Sequence, residues 1–197
     1  MADTGIVLEW QGPFEFSSYA GRSIFSAEEG KARGSYAWGV ETSIGQLPHY
    51  VGETDTSFAR RHLEHFKAYA DGTYSTRNGE LFRNGKEDIV FPGSYWKKGV
   101  PINHHQPFID DFAEMAKHIV TMLGTIRIYV AALSTDQRTR RRVEAGLVDG
   151  LYRAPEEARS LFATGYRAWR RSATEDVILV DCSSPPPIIG FPRSFEA

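Results

Sequence analysis

The feature that most constrains this chain lies between Pro107 and Leu133, where the apolar period changes without a break. Phe108, Phe112, Met115, Ile119 and Leu123, with Ile109, Ala116 and Val120, recur at helical spacing and form one continuous apolar face. From Thr125 to Leu133 the pattern alternates instead, Ile126, Ile128, Val130 and Ala132 against Arg127 and Tyr129, as a half-buried strand does. A helix with one apolar face, followed directly by such a strand, needs both kinds of layer in one fold, and we expect an α+β domain.

Ser35 to Thr42 and His49 to Glu53 are rich in β-formers and read as two short strands joined by a loop. Thr54, Asp55 and Thr56 offer capping oxygens, and Ala59, Leu63, Phe66 and Ala70 then recur at the helical period up to Gly72. The expected architecture is a small, mainly antiparallel three-stranded sheet (35–42, 49–53 and 125–133) flanked by helices near 56–70, 107–123, 135–152 and 156–171. Residues 5–17 read as an accessory edge strand, and Asp176 to Val180 as a last strand. Residues 71–105, with Asn78-Gly79 and Asn84-Gly85 favouring hairpin turns, read as a loop-rich insertion, and 183–197, opening on Ser-Ser-Pro-Pro-Pro, as a tail. No internal repeat or second boundary is found, so 1–197 reads as a single domain.

Composition removes several classes of function. Cys182 is the one cysteine, which excludes an intramolecular disulfide and a cysteine-rich zinc site and fits a reducing cytoplasm. The longest apolar runs fall far short of the ~20 residues a membrane span needs. The start MADTGIVLEW has an acid where a signal peptide carries positive charge, so export is not expected. The net charge of -2 argues against bulk electrostatic coating of nucleic acid, but the last third is locally basic. From Arg138 to Arg171 nine arginines face Glu144, Asp149, Glu156 and Glu157.

Familiar site patterns are mostly missing. The stretch Gly79 to Glu87 has glycines spaced one residue too far apart for a phosphate loop, and Glu87 stands where a metal-binding Ser or Thr is needed. There is no G-x-S-x-G elbow, and His104-His105 has no third ligand at a useful spacing.

What remains is an ordered series: Gly34-Ser35-Tyr36, Tyr50-Val51-Gly52, Arg61 with His65, and far downstream Glu144. In this the chain resembles the GIY-YIG nuclease family, over a core of 34–70 rejoining at 125–152. The resemblance implies a metal-dependent DNA endonuclease with Tyr36, Tyr50, Arg61, His65 and Glu144 as catalytic residues. It implies that Glu144 holds one Mg²⁺ or Mn²⁺, and that the partner is DNA, duplex or single-stranded, with no membrane involved. The first tripeptide has Ser35 where the family has isoleucine, and the asparagine usual beyond the glutamate is missing. Tyr50 and Arg61 stand one residue further apart than in the family, so Arg60 is the other register. Phe58 and His65 favour Arg61. The alternative is a catalytically inactive module of the same type, binding nucleic acid or a protein.

Physical chemistry bears on these residues independently. Arg61 and His65 are i, i+4 neighbours opposite the Ala59, Leu63, Phe66, Ala70 stripe, and so are expected to point outward together. A guanidinium suits phosphate oxygens and stays charged at any working pH. Whether Tyr36 and Tyr50 share a face depends on strand register. Glu144 lies at the margin of the Val143, Leu147, Leu151 stripe, where a carboxylate needs a metal or an ion pair with Arg140 or Arg141. Arg60, Arg138, Arg141 and Arg142 are the expected nucleic-acid contacts.

Overall fold

The computed structural model describes residues 5–19, 21–94, 102–162 and 169–197. It is an α+β fold around a six-stranded mixed sheet, which corrects the expected small three-stranded one. In chain order come β1 (Gly5–Phe14), β2 (Gly34–Thr42), β3 (Gly45–Thr54), α1 (Phe58–Ala70), β4 (Thr76–Arg77), α2 (Gly79–Arg83) and β5 (Ile89–Phe91). Then follow α3 (Gln106–Asp110), α4 (Phe112–Thr125), β6 (Ile126–Ala132), α5 (Gln137–Leu151), β7 (Leu179–Ser183) and β8 (Ser194–Glu196). The large sheet has the order β3-β2-β6-β1-β7-β8, and β4 with β5 forms a separate ribbon.

The missing strands account for the difference. Residues 5–14 are not an accessory edge but an interior strand, antiparallel to β6 and parallel to β7, with Gly5 opposite Leu179. Their loose alternation conceals this because Leu8 and Trp10 face one layer of the core and Phe14 the other. The 183–197 segment is no free tail: Ser194–Glu196 pairs with β7, and Ile178 and Ala197 exchange backbone hydrogen bonds at 3.1 and 2.9 Å. The strand expected at Asp176 to Val180 lies at Leu179–Ser183, three residues later than the alternation suggests, and is followed by β8.

Each sheet face carries its own core. Tyr36, Trp38, Val40, Ile126, Ile128 and Val130 pack under α1 and α4, against Phe58, Tyr69, Ile119 and Met122. Ala37, Val51, Tyr129 and Ala131 pack under α5, against Val143, Leu147 and Leu151. The helix expected over 107–123 is divided at Asp111, whose ψ of 31° leaves the helical region, into α3 and α4. Of the helix expected over 156–171, the described residues form a 3₁₀ turn at Glu156–Arg159 and no α-helix, and 163–168 lie outside them. The insertion is more ordered than its composition suggests. Asn78 caps α2 by accepting from the Leu81 amide at 3.2 Å and Asn84 closes it, so these Asn-Gly pairs bound a helix and make no hairpin turns.

Candidate active site

The hairpin of β2 and β3 sets out the first candidate groups. Tyr36 stands opposite Gly52 and Trp38 opposite Tyr50, so Tyr36, Trp38 and Tyr50 share the face under α1. Gly52 is required by this register: a Cβ there would come within 2.4 Å of Tyr36 Cζ and Oη. The tyrosine ring therefore lies directly across the bare backbone of the neighbouring strand.

The helix α1 begins where Ser57 accepts from the Arg60 amide at 3.2 Å. Its buried face is Phe58, His62, His65 and Tyr69, whereas Leu63 and Phe66 are each 42% exposed. This reverses the expected orientation. The aliphatic stripe loses because each imidazole finds two hydrogen-bond partners when turned inward, which offsets its burial. His65 points inward and Arg61 lies at the margin.

Hydrogen-bond bookkeeping fixes the protons of this layer. Trp38 Nε1 can only donate, so His62 Nε2 accepts from it at 3.0 Å and Nδ1–H donates to the Phe58 carbonyl at 2.7 Å. Arg61 Nε likewise donates to Tyr36 Oη at 3.2 Å, so the single Tyr36 hydroxyl proton goes to His65 Nε2 at 2.8 Å. His65 Nδ1–H then donates to Tyr74 Oη at 3.1 Å. The result is one directed line, Arg61 to Tyr36 to His65 to Tyr74. Arg61 Nη1 donates to Glu64 at 3.2 Å, and among the described residues Nη2 has no acceptor.

Burial governs the electrostatics. It pushes Tyr36 well above the usual phenol range, assisted by Tyr50 and opposed by Arg61. Tyr50 is pushed up to about 12 by burial and by Glu144. Burial, with Arg61 and His62 adding, holds His65 well below the ordinary histidine value, so it is a neutral acceptor.

The other half of the site comes from the opposite sheet face. After Gly52 the strand turns Glu53 toward α5, where Arg140 Nε donates to it at 3.1 Å and Arg141 Nε lies 3.5 Å away. Glu144, one turn along α5, is thereby left without an ion pair or hydrogen bond among the described residues; both arginines offered to it by the sequence are held by Glu53. Burial first, then the like charge of Glu53, raises its carboxyl to about 8 against the opposing pull of Arg61 and Arg141. A half-buried carboxylate with a second acid beside it and no proton donor is an arrangement that a cation stabilises. The donor set fits a hard divalent ion of the Mg²⁺ type, which takes one or two carboxylates and completes its shell with water and phosphate oxygens. Among the described residues no group of three or more His, Cys, Asp or Glu side chains could build an all-protein cage.

The expected nucleic-acid contacts divide. Arg142 is buried and donates to the Asp176 and Ala197 carbonyls, both at 2.6 Å, and so is lost to a phosphate. Arg138 is taken by Glu175 at 2.8 and 2.7 Å and by the Trp169 and Arg170 carbonyls. Arg60 is exposed on α1 beside Glu64, and Arg141 is partly exposed next to Glu53. His104 Nε2 is engaged with the Gly93 carbonyl at 2.9 Å. Sequence reasoning passed over Trp38, His62, Tyr74, Glu53 and Trp169. Two of these had a legible signal, since Trp38 is two residues from Tyr36 on one strand and His62 three from His65 on one helix. Tyr74 and Trp169 reach the site only through tertiary structure.

Among the described residues no helix is long and apolar enough to cross a membrane. Comparison with protein families, with curated proteins and with solved structures returned no match.

Proposed function

We propose that the chain is a metal-dependent endonuclease that hydrolyses phosphodiester bonds in DNA, using reacting groups like those of GIY-YIG enzymes on a larger sheet. One observation carries this reading: the directed line from Arg61 through Tyr36 to His65 runs beside Tyr50, within electrostatic reach of the unpaired Glu144. Such a line can move a proton. A water seated against Tyr36 Oη gives its proton to that oxygen as it attacks phosphorus, while the Tyr36 hydroxyl proton passes to His65 Nε2. Tyrosine alone is a poor base near neutrality, and more so when buried. Burial and Arg61 make this imidazole a weak base in the free protein, and the anionic phosphate seated against Arg61 offsets that charge, so His65 accepts the proton and Tyr36 need not first become a free phenolate.

Arg61 supports the same step. Its Nε holds Tyr36, and its open Nη2 is available to a phosphate oxygen whose charge grows in the transition state. Tyr74 fixes the His65 tautomer, and the Tyr50 ring packs beside that of Tyr36 at 6.0 Å on the β3 side. Glu144 is the residue that would hold Mg²⁺ or Mn²⁺, exchanging its proton for the ion. When bound, the ion would neutralise charge on the leaving oxygen.

The test is incubation of the purified protein with plasmid and with single-stranded DNA, in Mg²⁺, Mn²⁺ or EDTA. Cleavage in either metal that EDTA and Tyr36→Phe both abolish is the expected result. Intact DNA under all conditions, or equal cutting by the variant, refutes it.

A further inference from the structure

Three of the four arginines that open α5 are hydrogen-bonded inside the fold, Arg138 to Glu175 and two carbonyls, Arg140 to Glu53 and the Thr135 carbonyl, Arg142 through Nη2 to two more. Arg141 differs. Its guanidinium carbon lies 4.2 Å from the centroid of the Trp169 ring. Its ionic neighbour is Glu53, at 3.5 Å, a carboxylate already hydrogen-bonded by the buried Arg140. Among the described residues the Arg141 donors make no hydrogen bond. Stacking uses the face of a guanidinium and leaves its N–H groups in plane, directed outward from the edge. Arg141 Nε thus faces Glu53, while its two terminal nitrogens have no hydrogen-bond acceptor among the described residues, so the charge is oriented and only partly matched.

The fold also secures the ring beneath it. Arg138 donates to the Trp169 carbonyl at 3.0 Å and the Arg170 carbonyl at 2.8 Å while gripping Glu175 with two hydrogen bonds. One arginine thus pins the backbone of the tryptophan on which another is stacked. Arg61 on α1 and Arg141 on α5 meet through the end of β3: Arg61 donates to Tyr36, whose ring lies against Gly52, and the next residue, Glu53, pairs with Arg141.

We propose that Arg141, stacked on Trp169, is a second phosphate-binding arginine of this site, seating a backbone phosphate adjacent to the one that Arg61 holds. The substrate is then a nucleic-acid strand with at least two consecutive phosphates, and not a lone phosphodiester. This rests on the nuclease reading above. Trp169 is a positioning residue: it holds the guanidinium plane edge-on to the strand and adds no charge itself.

The experiment measures binding of a labelled single-stranded oligothymidylate to the full chain in EDTA across a salt series, alongside Mg²⁺-dependent cleavage by the wild type. Arg141→Gln should reduce the slope of log affinity against log salt by about 0.7, one single-strand phosphate contact, and weaken low-salt binding by roughly tenfold. Trp169→Leu should leave the slope unchanged, since the charge remains, yet weaken binding by about threefold, and Trp169→Phe should restore most of that. Should Arg141→Gln unfold, Arg141→Lys takes its place, keeping the slope and losing affinity. A wild-type slope and affinity in Arg141→Gln overturn the inference, even if the wild type cuts DNA. The expected salt signature in a protein that cuts nothing leaves the strand-binding role standing and removes the nuclease reading.

Discussion

Lowering the pH tests the proton assignments under α1 through His62. Both its nitrogens are committed, one accepting from the donor-only indole of Trp38 and the other donating to the Phe58 carbonyl, so no place exists for a second proton. The side chain is fully buried, and burial, with Arg61 adding, lowers its pKa to about 4. A group whose pKa is lower folded than unfolded takes up its proton on unfolding, so it costs stability as pH falls from the unfolded value of ~6.5 toward the folded one. Between about pH 7.5 and about pH 4.5 this amounts to roughly 2 to 3 kcal/mol, a large part of an ordinary domain's margin. Other groups titrate in the same window. Glu144, raised to about 8, acts in the opposite sense: its stabilising contribution is complete below its unfolded pKa and lost as pH rises through the folded one. The difference between wild type and His62→Gln isolates His62. The glutamine carbonyl can still accept from Trp38, but the bond to Phe58 is lost, so urea unfolding in EDTA near neutral pH should show the variant weaker by about 1 to 2 kcal/mol. By about pH 4.5 that deficit should vanish or reverse, because the variant has nothing to protonate. A gap between the two proteins that does not change with pH would refute both the tautomer and the burial argument.

Other outcomes follow from the same geometry. Arg61→Ala should lose about 100-fold or more in cleavage rate and Arg60→Ala far less, since Arg61 touches Tyr36 and Arg60 faces solvent beside Glu64; the reverse ranking would place the reacting arginine one residue earlier. Mg²⁺ should raise the melting temperature of the wild type in a concentration-dependent way and leave Glu144→Gln unmoved; an equal response in both excludes Glu144 as ligand. Gly52→Ala should drive a methyl group into Tyr36, so near-ultraviolet circular dichroism should change and cleavage should fall even where the fold persists; an active, unchanged variant would contradict the Tyr36 position.

What could be read from the sequence, and what could not, follows from the range of the interactions. Tyr36, Tyr50, Arg61 and His65 fall within one hairpin and one helix, so their order and spacing already bring them near one another. The helix face departs from its aliphatic stripe because such a stripe is a statement about transfer from water, and His62 and His65 escape that rule by satisfying their nitrogens on Trp38, Phe58, Tyr36 and Tyr74. The six-stranded sheet was hidden for a different reason. Strand β1 is completed by β7, and β7 by β8, partners whose identity no local window contains. The arginine-rich start of α5 showed the same limit: composition counted four like cations, and only tertiary structure distinguishes buried Arg140 and Arg142 from the stacked Arg141.

The parallel pairing of β1 with β7 also orders events in time. The hairpin, α1 and the line from Arg61 to His65 close short loops, which cost little chain entropy and form early. The first strand, by contrast, cannot find its second neighbour until Leu179 and the residues after it have been synthesised. Two residues that hold α5 in register come later still, because Arg142 is tied to the Ala197 carbonyl and Phe195 fills the space left by Gly146. On the ribosome the hydrogen-bonded half around Tyr36 and His65 would therefore be assembled well before the helix carrying Glu144 is locked beside it, and the two halves would meet only once that docking is complete.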